Sequence, residues 1–274
     1  MKTKLLIAFM LLALSAQAAP KIKTQHFVVK DSIRFFEKDE PQGVGYKFTK
    51  TVTADWPVTV NGKKSKALND FLIEEVFYAS HNRENFPNDI NDAKTLKNCV
   101  KSWVHDILRS NTMVKDFDVK EYKSGIKDIN HEENPMSCWY ETLDFNYSHS
   151  VGNLMFFVEN GDSYYGGAHN MFASNFLAFD AALDKPIRLG DIVTNQSKVL
   201  RLLPSYDKRD ADNKWWKNID VPDIQNFYVK NGKLVFVFPP YAVGPFCDGI
   251  IEVAIPLKTL KAKRLLTTYG KRLK

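Results

Sequence analysis

Two short segments in the second half of this sequence hold the residues best suited to chemistry. The segment "SYYGGAHN", Ser163 to Asn170, contains His169, and "PFCDG", Pro245 to Gly249, contains Cys247 and Asp248. A thiolate can be activated by a neighbouring imidazole that a carboxylate orients, so these residue types would suit a nucleophile, a base and an orienting group. Cysteine is also among the residues most often buried, and the apolar residues around Cys247 fit the start of a packed strand. We therefore assign no catalytic residue, and a cell-wall hydrolase using His169 with Asp248 or Cys247 is the alternative hypothesis.

Aromatic side chains in the same region favour binding. Binding residues are concentrated on loops, and aromatic rings beside a few polar groups suit a protein or a glycan ligand. The predicted ligand-binding residues are Tyr164, Tyr165, His169, Tyr241 and Asp248. The two neighbouring tyrosines face either the core or a partner.

Glycine and proline in the two segments predict a specialised backbone. Glycine permits backbone angles and close approaches that other residues forbid, and His169 is placed to fix its loop by a hydrogen bond to backbone. The predicted structural residues are Gly166, Gly167, Gly244, Pro245 and Gly249. On this interpretation the first segment is a strand-to-loop corner rather than a catalytic one.

Common metal and catalytic motifs are absent from the sequence. None of its six histidines stands in H-x-H or H-E-x-x-H spacing, and there is neither a G-x-S-x-G turn nor a phosphate-binding loop. We predict no metal and no cofactor. The carboxylate pairs of glycosidases lie at no fixed sequence spacing, so such a pair stays an open alternative.

The first residues predict export. Lys2 and Lys4 precede an apolar run that ends in small residues with A-x-A spacing, which is typical of a secretory signal cut after Ala18. Beyond residues 1–18 no stretch approaches the ~20 apolar residues of a transmembrane helix, so we expect a periplasmic or secreted protein without an anchor. The mature chain has 36 basic and 32 acidic residues, and a net charge of +4 is too small to indicate nucleic-acid binding.

The three cysteines leave at least one thiol without a disulfide partner. Cys99 and Cys138 form the candidate pair because they share the same half of the chain. Cys247 is then predicted to be a lone buried thiol. The basic end, Leu257 to Lys274, is either a solvated helix face and tail or a contact to an anionic envelope surface.

Hydrophobic periodicity predicts an α+β protein of two intimately associated halves, with antiparallel sheets and packed amphipathic helices. Strands between His26 and Val60 are followed by helices over Ala67 to Ala79 and Asn91 to Leu108. A polar segment, Asn130 to Cys138, joins the halves, so the predicted domains are residues 19–130 and 131–274.

The second half is predicted to be rich in strands. Strict alternation predicts a strand over Trp139 to Ser148, and Asn160-Gly161 predicts a tight turn or a bulge after the next strand. Asn231-Gly232 predicts a hairpin, since both residue types tolerate a positive φ. The remaining predictions are strands over Ser174 to Asp180 and Ile250 to Ile255, a short helix near Ser197 to Leu203, and a closing helix that begins at Pro256.

Three segments of the second half resemble the domain-of-unknown-function family 3298. They are Tyr165 to His169, the turn from Leu189 to Val193, and "PPYAVGPFCDG" from Pro239 to Gly249, in the family's order over about Trp139 to Leu260. That family is known from the extracellular region of the lysozyme-sensing anti-sigma factor RsiV. The first half is similar to the family 4163 domain that commonly precedes it.

The resemblance implies an exported α+β binding module. In the anti-sigma factor the domain pair binds C-type lysozyme, and in certain peptidoglycan deacetylases it precedes a separate catalytic domain. The signalling and deacetylase segments have no counterpart here, so those roles are not carried over. We expect a non-enzymatic envelope protein that binds a lysozyme-like protein or peptidoglycan, with an assembly subunit as a further alternative.

Overall fold

A computed structural model describes residues 19–35, 46–78, 86, 90, 92–110, 138–209, 216 and 226–273. The chain begins with a long antiparallel pair, β1 (Ile22–Phe35) and β2 (Tyr46–Val60). Helix α1 (Lys66–Ile73) follows and continues as a π-helical turn, Glu74–Tyr78, and helix α2 is Ala93–Ser110. The strand pair and both helices are therefore confirmed, apart from Ala79 and Asn91, which lie outside the described residues.

The helices bury the apolar stripe that their sequence periodicity predicted. Trp56 of β2 lies on the helix-facing side of the sheet, and its indole N–H donates to Asn69 Oδ1 of α1 at 2.8 Å. Trp56 also stacks with Phe77 of the π-helical turn. The buried residues of the two predicted stripes are Leu68, Phe71, Leu72, Val76, Ala93, Leu96, Val100, Trp103 and Ile107.

Six strands form one sheet in chain order. They continue with β3 (Cys138–Val151), β4 (Leu154–Tyr164), β5 (Met171–Asp180) and β6 (Lys185–Pro186). All neighbours are antiparallel except β2 and β3, which are parallel, as expected for strands separated by a helical connection. The sheet thus joins strands of both predicted halves.

The prediction of a turn or bulge at Asn160-Gly161 is wrong. Gly161 lies inside β4 and pairs with Leu143 on one side and Ala173 on the other. Ladder pairing on both edges outweighs the local turn preference of an Asn-Gly pair. The chain instead reverses before β4, where Gly152 has a φ of 59°.

A second, three-stranded sheet forms from β7 (Phe227–Lys230), β8 (Lys233–Phe238) and β9 (Ile251–Pro256). The predicted hairpin is confirmed, with φ values of 50° for Asn231 and 68° for Gly232. The short helices α3 (Leu189–Ile192) and α4 (Gln196–Leu200) precede this sheet, and α5 (Leu257–Ala262) follows Pro256 as predicted. Two 3-10 turns, Leu203–Tyr206 and Gly270–Arg272, follow α4 and α5 respectively, and Leu203 is buried in the core of this sheet.

Strands β4 and β5 separate two apolar cores. Successive residues of a strand point to opposite faces, so Met155 and Phe157 pack with the helices while Leu154 and Phe156 pack with the second sheet. The α+β class is confirmed, and the halves share a sheet. The boundary at residues 130 and 131 lies in a part of the chain outside the described residues and stays a prediction. None of the helices described is both long and apolar enough to cross a membrane.

Candidate functional site

The two segments predicted to carry function meet in space. The loop between β4 and β5 (residues 165–170) contacts the loop between β8 and β9 (residues 239–250), which includes the 3-10 turn Phe246–Asp248. We call the four rings that meet there the aromatic corner: His169, Phe172, Tyr241 and Phe246.

The first loop needs its glycines. Gly166 and Gly167 have φ values of 85° and 100°, which residues with a Cβ rarely adopt. The Tyr164 hydroxyl donates to the Gly167 carbonyl at 3.0 Å and closes the loop on itself. Both glycines and Tyr164 therefore shape the loop.

Tyr165 faces the core rather than solvent. Its ring packs edge-on against Phe48 and Trp139, at centroid distances of 5.6 and 6.0 Å. It therefore joins the helix-facing core at the edge of the sheet. Of the two neighbouring tyrosines, this one has a packing role.

His169 is exposed but fixed at both ring nitrogens. Nδ1 lies 2.9 Å from the Asn170 carbonyl oxygen, and Nε2 lies 3.0 Å from the Tyr241 hydroxyl. A carbonyl can only accept, so Nδ1 carries a proton and donates to Asn170, while Nε2 forms the hydrogen bond with the tyrosine hydroxyl. The ring also stacks on Phe246 with a centroid distance of 3.7 Å. The predicted hydrogen bond between His169 and backbone is present.

Tyr241 is an exposed member of the corner, with 58% of its surface accessible. Its φ of 69° is unusual for a bulky residue and costs on the order of 1–3 kcal/mol, which neighbouring contacts must offset. The hydroxyl bond to His169 and the contact with Phe246 hold the ring in this orientation. Strained, exposed residues of this kind are concentrated at functional sites.

Asp248 lies beside the corner in an ion pair that the sequence did not predict. Arg209 donates from Nη1 to Asp248 at 2.9 Å and from Nε and Nη2 to the buried Asp207 at 3.0 and 2.7 Å. Burial opposes ionisation of Asp207, but hydrogen bonds from Arg209 and Trp216 outweigh it, so the pKa of Asp207 is lowered. Arg209 lies three residues after the 3-10 turn Leu203–Tyr206, in a segment without a recognisable motif, so no sequence signal marks it.

Gly244 and Gly249 are needed for different reasons. A Cβ on Gly244 would lie 3.0 Å from Asp248 Oδ2 and 3.3 Å from Arg209 Nη1, so an added methyl group would crowd the ion pair. Gly249 has a φ of 68° where it ends the 3-10 turn. Pro245 precedes this turn in extended conformation. The predicted structural residues thus all lie within the two loops, and three of the glycines have a positive φ.

The arrangement does not assemble the nucleophile, base and orienting group considered from the sequence. Both nitrogens of His169 are bonded to Asn170 and Tyr241, while Asp248 pairs with Arg209. The prediction that Cys247 is buried is wrong, because the 3-10 turn directs it to solvent, with its sulfur 3.9 Å from Asp248 Oδ1. Over the described parts of the chain, no cluster of three or more histidine, cysteine or acidic residues could hold a metal ion.

The structure does not join Cys99 to Cys138. Cys99 lies within α2 and carries a free thiol, whereas Cys138 is the first residue of β3. Burial raises the pKa of the Cys99 thiol, which keeps it protonated and unreactive.

Charged residues also lie between the sheet and the helices, where sequence reasoning missed them. Lys50 is buried, pairs with Glu141 and lies over the Trp103 ring, 4.7 Å from its centroid. Burial raises the pKa of the nearby Glu159 to about 7, although Asn175 and Lys50 lower it in part. Lys50 falls at every-second-residue spacing with the buried apolar residues of β2 and therefore points to the same face of the sheet. This position in the alternating pattern could have identified it from the sequence.

Comparisons with known proteins give a family match for part of the chain and a fold for most of it. Residues 184–258 match the family described as "Protein of unknown function (DUF3298)", which includes the Leu189 turn and the Pro239 to Gly249 segment. No curated protein matches the chain. The similarity of the first half to family 4163 stays a prediction.

Two solved structures share the whole fold. A DUF3298 family member from Bacteroides fragilis superposes with a TM-score of 0.58 at 19% identity, over 92% of this chain and 98% of that one. A DUF3298 family protein from Pseudomonas aeruginosa PAO1 has a TM-score of 0.54 at 14% identity, over 91% and 96% of the two chains. At such identities the likeness establishes the fold alone.

Proposed function

We propose that this protein is an exported, non-enzymatic binding protein of the cell envelope, and that it contacts its ligand through the aromatic corner and Asp248. The observation that carries the proposal is Tyr241, an exposed ring held at a strained backbone position by His169 and Phe246. A side chain fixed before binding loses little conformational entropy on binding, which favours affinity. The envelope location rests on the predicted signal segment.

The ligand classes to be tested are a lysozyme-like protein and cell-wall glycan. The mature chain from Ala19 is titrated by calorimetry with a C-type lysozyme and with soluble peptidoglycan fragments. One of the two should bind, and Tyr241→Ala should weaken that binding by about tenfold or more, because a central aromatic anchor carries much of the energy of a small site.

The matched control is Leu183→Ala, which removes another exposed apolar side chain far along the sheet from the corner. This variant should bind like the parent. If neither ligand binds, or if Tyr241→Ala binds unchanged, the proposed site is wrong. Release of soluble fragments from peptidoglycan by the purified protein would instead support the hydrolase alternative.

A further inference from the structure

Resting on the proposed function, we infer that the ligand of the aromatic corner is a carbohydrate, namely a pyranose chain of the cell-wall type, and not a protein surface. One sugar ring stacks on Tyr241, and its hydroxyl or acetamido groups bond to Asp248 and Arg209. Three features of the described residues carry this assignment: the form of the exposed aromatic surface, the hydrogen-bonding capacity beside it, and its charge.

Among the described residues, Tyr241 is the one large apolar side chain of the corner that is exposed, while Phe172 and Phe246 are half-buried. The large hydrophobic residues exposed in the described part of the chain are Val28, Met171, Leu183 and Tyr241, and they are scattered over the molecule. Met171 is close to the corner in sequence, but it alternates with Phe172 along β5 and so points to the opposite face of the sheet. A protein partner usually needs about 800 Å² on each side with several anchors. Tyr241, with the half-buried Phe246 beside it, presents an apolar face that matches one pyranose, whose C–H face meets the electron-rich face of the aromatic.

The ring needs no polar partner from its ligand. The Tyr241 hydroxyl is already hydrogen-bonded to His169 Nε2, and Nδ1 of the same ring is hydrogen-bonded to backbone. Stacking on Tyr241 therefore leaves no buried donor unpaired. The ligand is free to use its own polar groups on the neighbouring residues.

Asp248 and Arg209 have hydrogen-bonding groups left over for the polar groups of a sugar. Three guanidinium N–H groups are engaged with Asp207 and Asp248, and the others have no acceptor among the described residues. Among the described residues, Asp248 Oδ1 is within hydrogen-bond distance only of the Cys247 thiol, at 3.9 Å. An acceptor beside a donor is the arrangement that binds adjacent hydroxyl or acetamido groups of a sugar.

The ion pair also sets the charge of the site. Both carboxylates pair with Arg209, so its guanidinium charge is already matched and gives little attraction for an anionic group such as phosphate. An uncharged polyol does not depend on such attraction. Charge, shape and hydrogen bonding thus favour the same ligand class.

The test is a calorimetric and NMR titration of the mature chain with a tetrasaccharide of β-1,4-linked N-acetylglucosamine, with soluble peptidoglycan glycan strands, and with a C-type lysozyme. We expect saturable binding of the saccharides and loss of about tenfold or more in affinity for Tyr241→Ala. Tyr241→Phe keeps the ring and should bind within a few-fold of the parent. Asp248→Asn removes a carboxylate and should weaken binding, while Leu183→Ala should not. Thermal unfolding of each variant shows that it is folded.

The outcomes separate this inference from the proposed function. Binding of lysozyme that depends on Tyr241, with no binding of either saccharide, overturns the carbohydrate assignment and leaves the binding function in place. Saccharide binding that is unchanged in Tyr241→Ala and Asp248→Asn overturns the site. Failure of all three ligands to bind overturns both.

Discussion

Glu159 shows how a single residue can make this fold sensitive to pH. It lies on the helix-facing side of β4, opposite Phe145, where burial raises the pKa of its carboxyl from 4.5 to about 7. At a pH between these two pKa values, the Glu159 carboxyl is protonated in the folded protein and ionised in the unfolded chain. The folded state binds more protons there, so stability falls as pH rises through this window, and the full loss is present above about pH 7.

Glu159→Gln should remove this dependence because the amide does not ionise. The full pKa change corresponds to on the order of 3 kcal/mol, and the side chain is only half-buried, so screening by solvent reduces the expected effect to about 1–2 kcal/mol. Urea unfolding at pH 8 should show the variant more stable than the parent by that amount, and at pH 4.5 the two should converge. Exposed Glu74→Gln is the control, and an equal gain at both pH values would refute the assignment.

Gly270 is a second residue with a sharp steric requirement. A Cβ there would lie 2.2 Å from the Ile192 carbonyl oxygen, which is backbone and cannot move aside. Gly270→Ala should therefore destabilise the protein by about 3 kcal/mol, near the upper range for overpacking. Gly161→Ala is the matched control, since Gly161 has open space around it and lies in regular β4. Thermal denaturation measures the stability of both variants. Equal melting temperatures would show that position 270 has room for a methyl group.

The residues of the candidate site were only partly predictable. Gly166 and Gly167 could be recognised because residue type alone permits a positive φ. Tyr165 and Tyr241 are chemically identical in the sequence, yet one packs in the core and the other is exposed. Arg209 approaches Asp248 across 39 residues, and no local pattern encodes that contact.

At the scale of elements, the Asn226 side chain satisfies backbone hydrogen bonds along the outer edge of β5. β6 pairs only with Phe179 and Asp180, and further along the edge Asn226 accepts from the Phe176 N–H at 2.9 Å and donates to the Ser174 carbonyl at 2.6 Å. The amide imitates a neighbouring strand and protects backbone that could otherwise pair with another chain. It also ties the second sheet to the first.

Asn226→Ala should cost about 2 kcal/mol, since it leaves a part-buried donor and acceptor without partners. The effect should also be local: hydrogen exchange at the Phe176 amide should accelerate more than exchange in β2. Lys230→Ala, on the exposed end of the hairpin, is the control and should change neither quantity. Unchanged exchange at Phe176 would show that the edge is protected by something else.

Elements were predictable where one local pattern decides the structure. The stripe of α2 and the turn at Asn231-Gly232 depend on short-range periodicity and on allowed backbone angles. Asn160-Gly161 has the same turn chemistry but lies between two long strands, and non-local pairing decides its conformation. The parallel pairing of β2 with β3 is likewise non-local and was not predicted.

For the whole molecule, the two predicted halves depend on each other for burial. The helices of the first half pack on Phe145, Phe157 and Phe179, which belong to strands of the second half. The same strands bury Phe156 and Leu154 in the other core. The sequence indicated a polar junction at Asn130 to Cys138. It did not indicate which strands share a core, because that depends on pairing between strands far apart in the chain.

A chain that starts at residue 131 should therefore not fold to a native state alone. Removing residues 19–130 would expose the helix-facing side of β3 to β5 and the edge of β3 that pairs with β2, a combination that favours aggregation. Residues 19–274 should unfold in a single cooperative transition, because both cores share β4 and β5. Differential scanning calorimetry tests whether residues 19–274 unfold in one transition. The dispersion of NMR signals shows whether the fragment from residue 131 is folded. A well-folded, monomeric fragment 131–274 would show that the second half is an independent domain and would favour the boundary near residue 130.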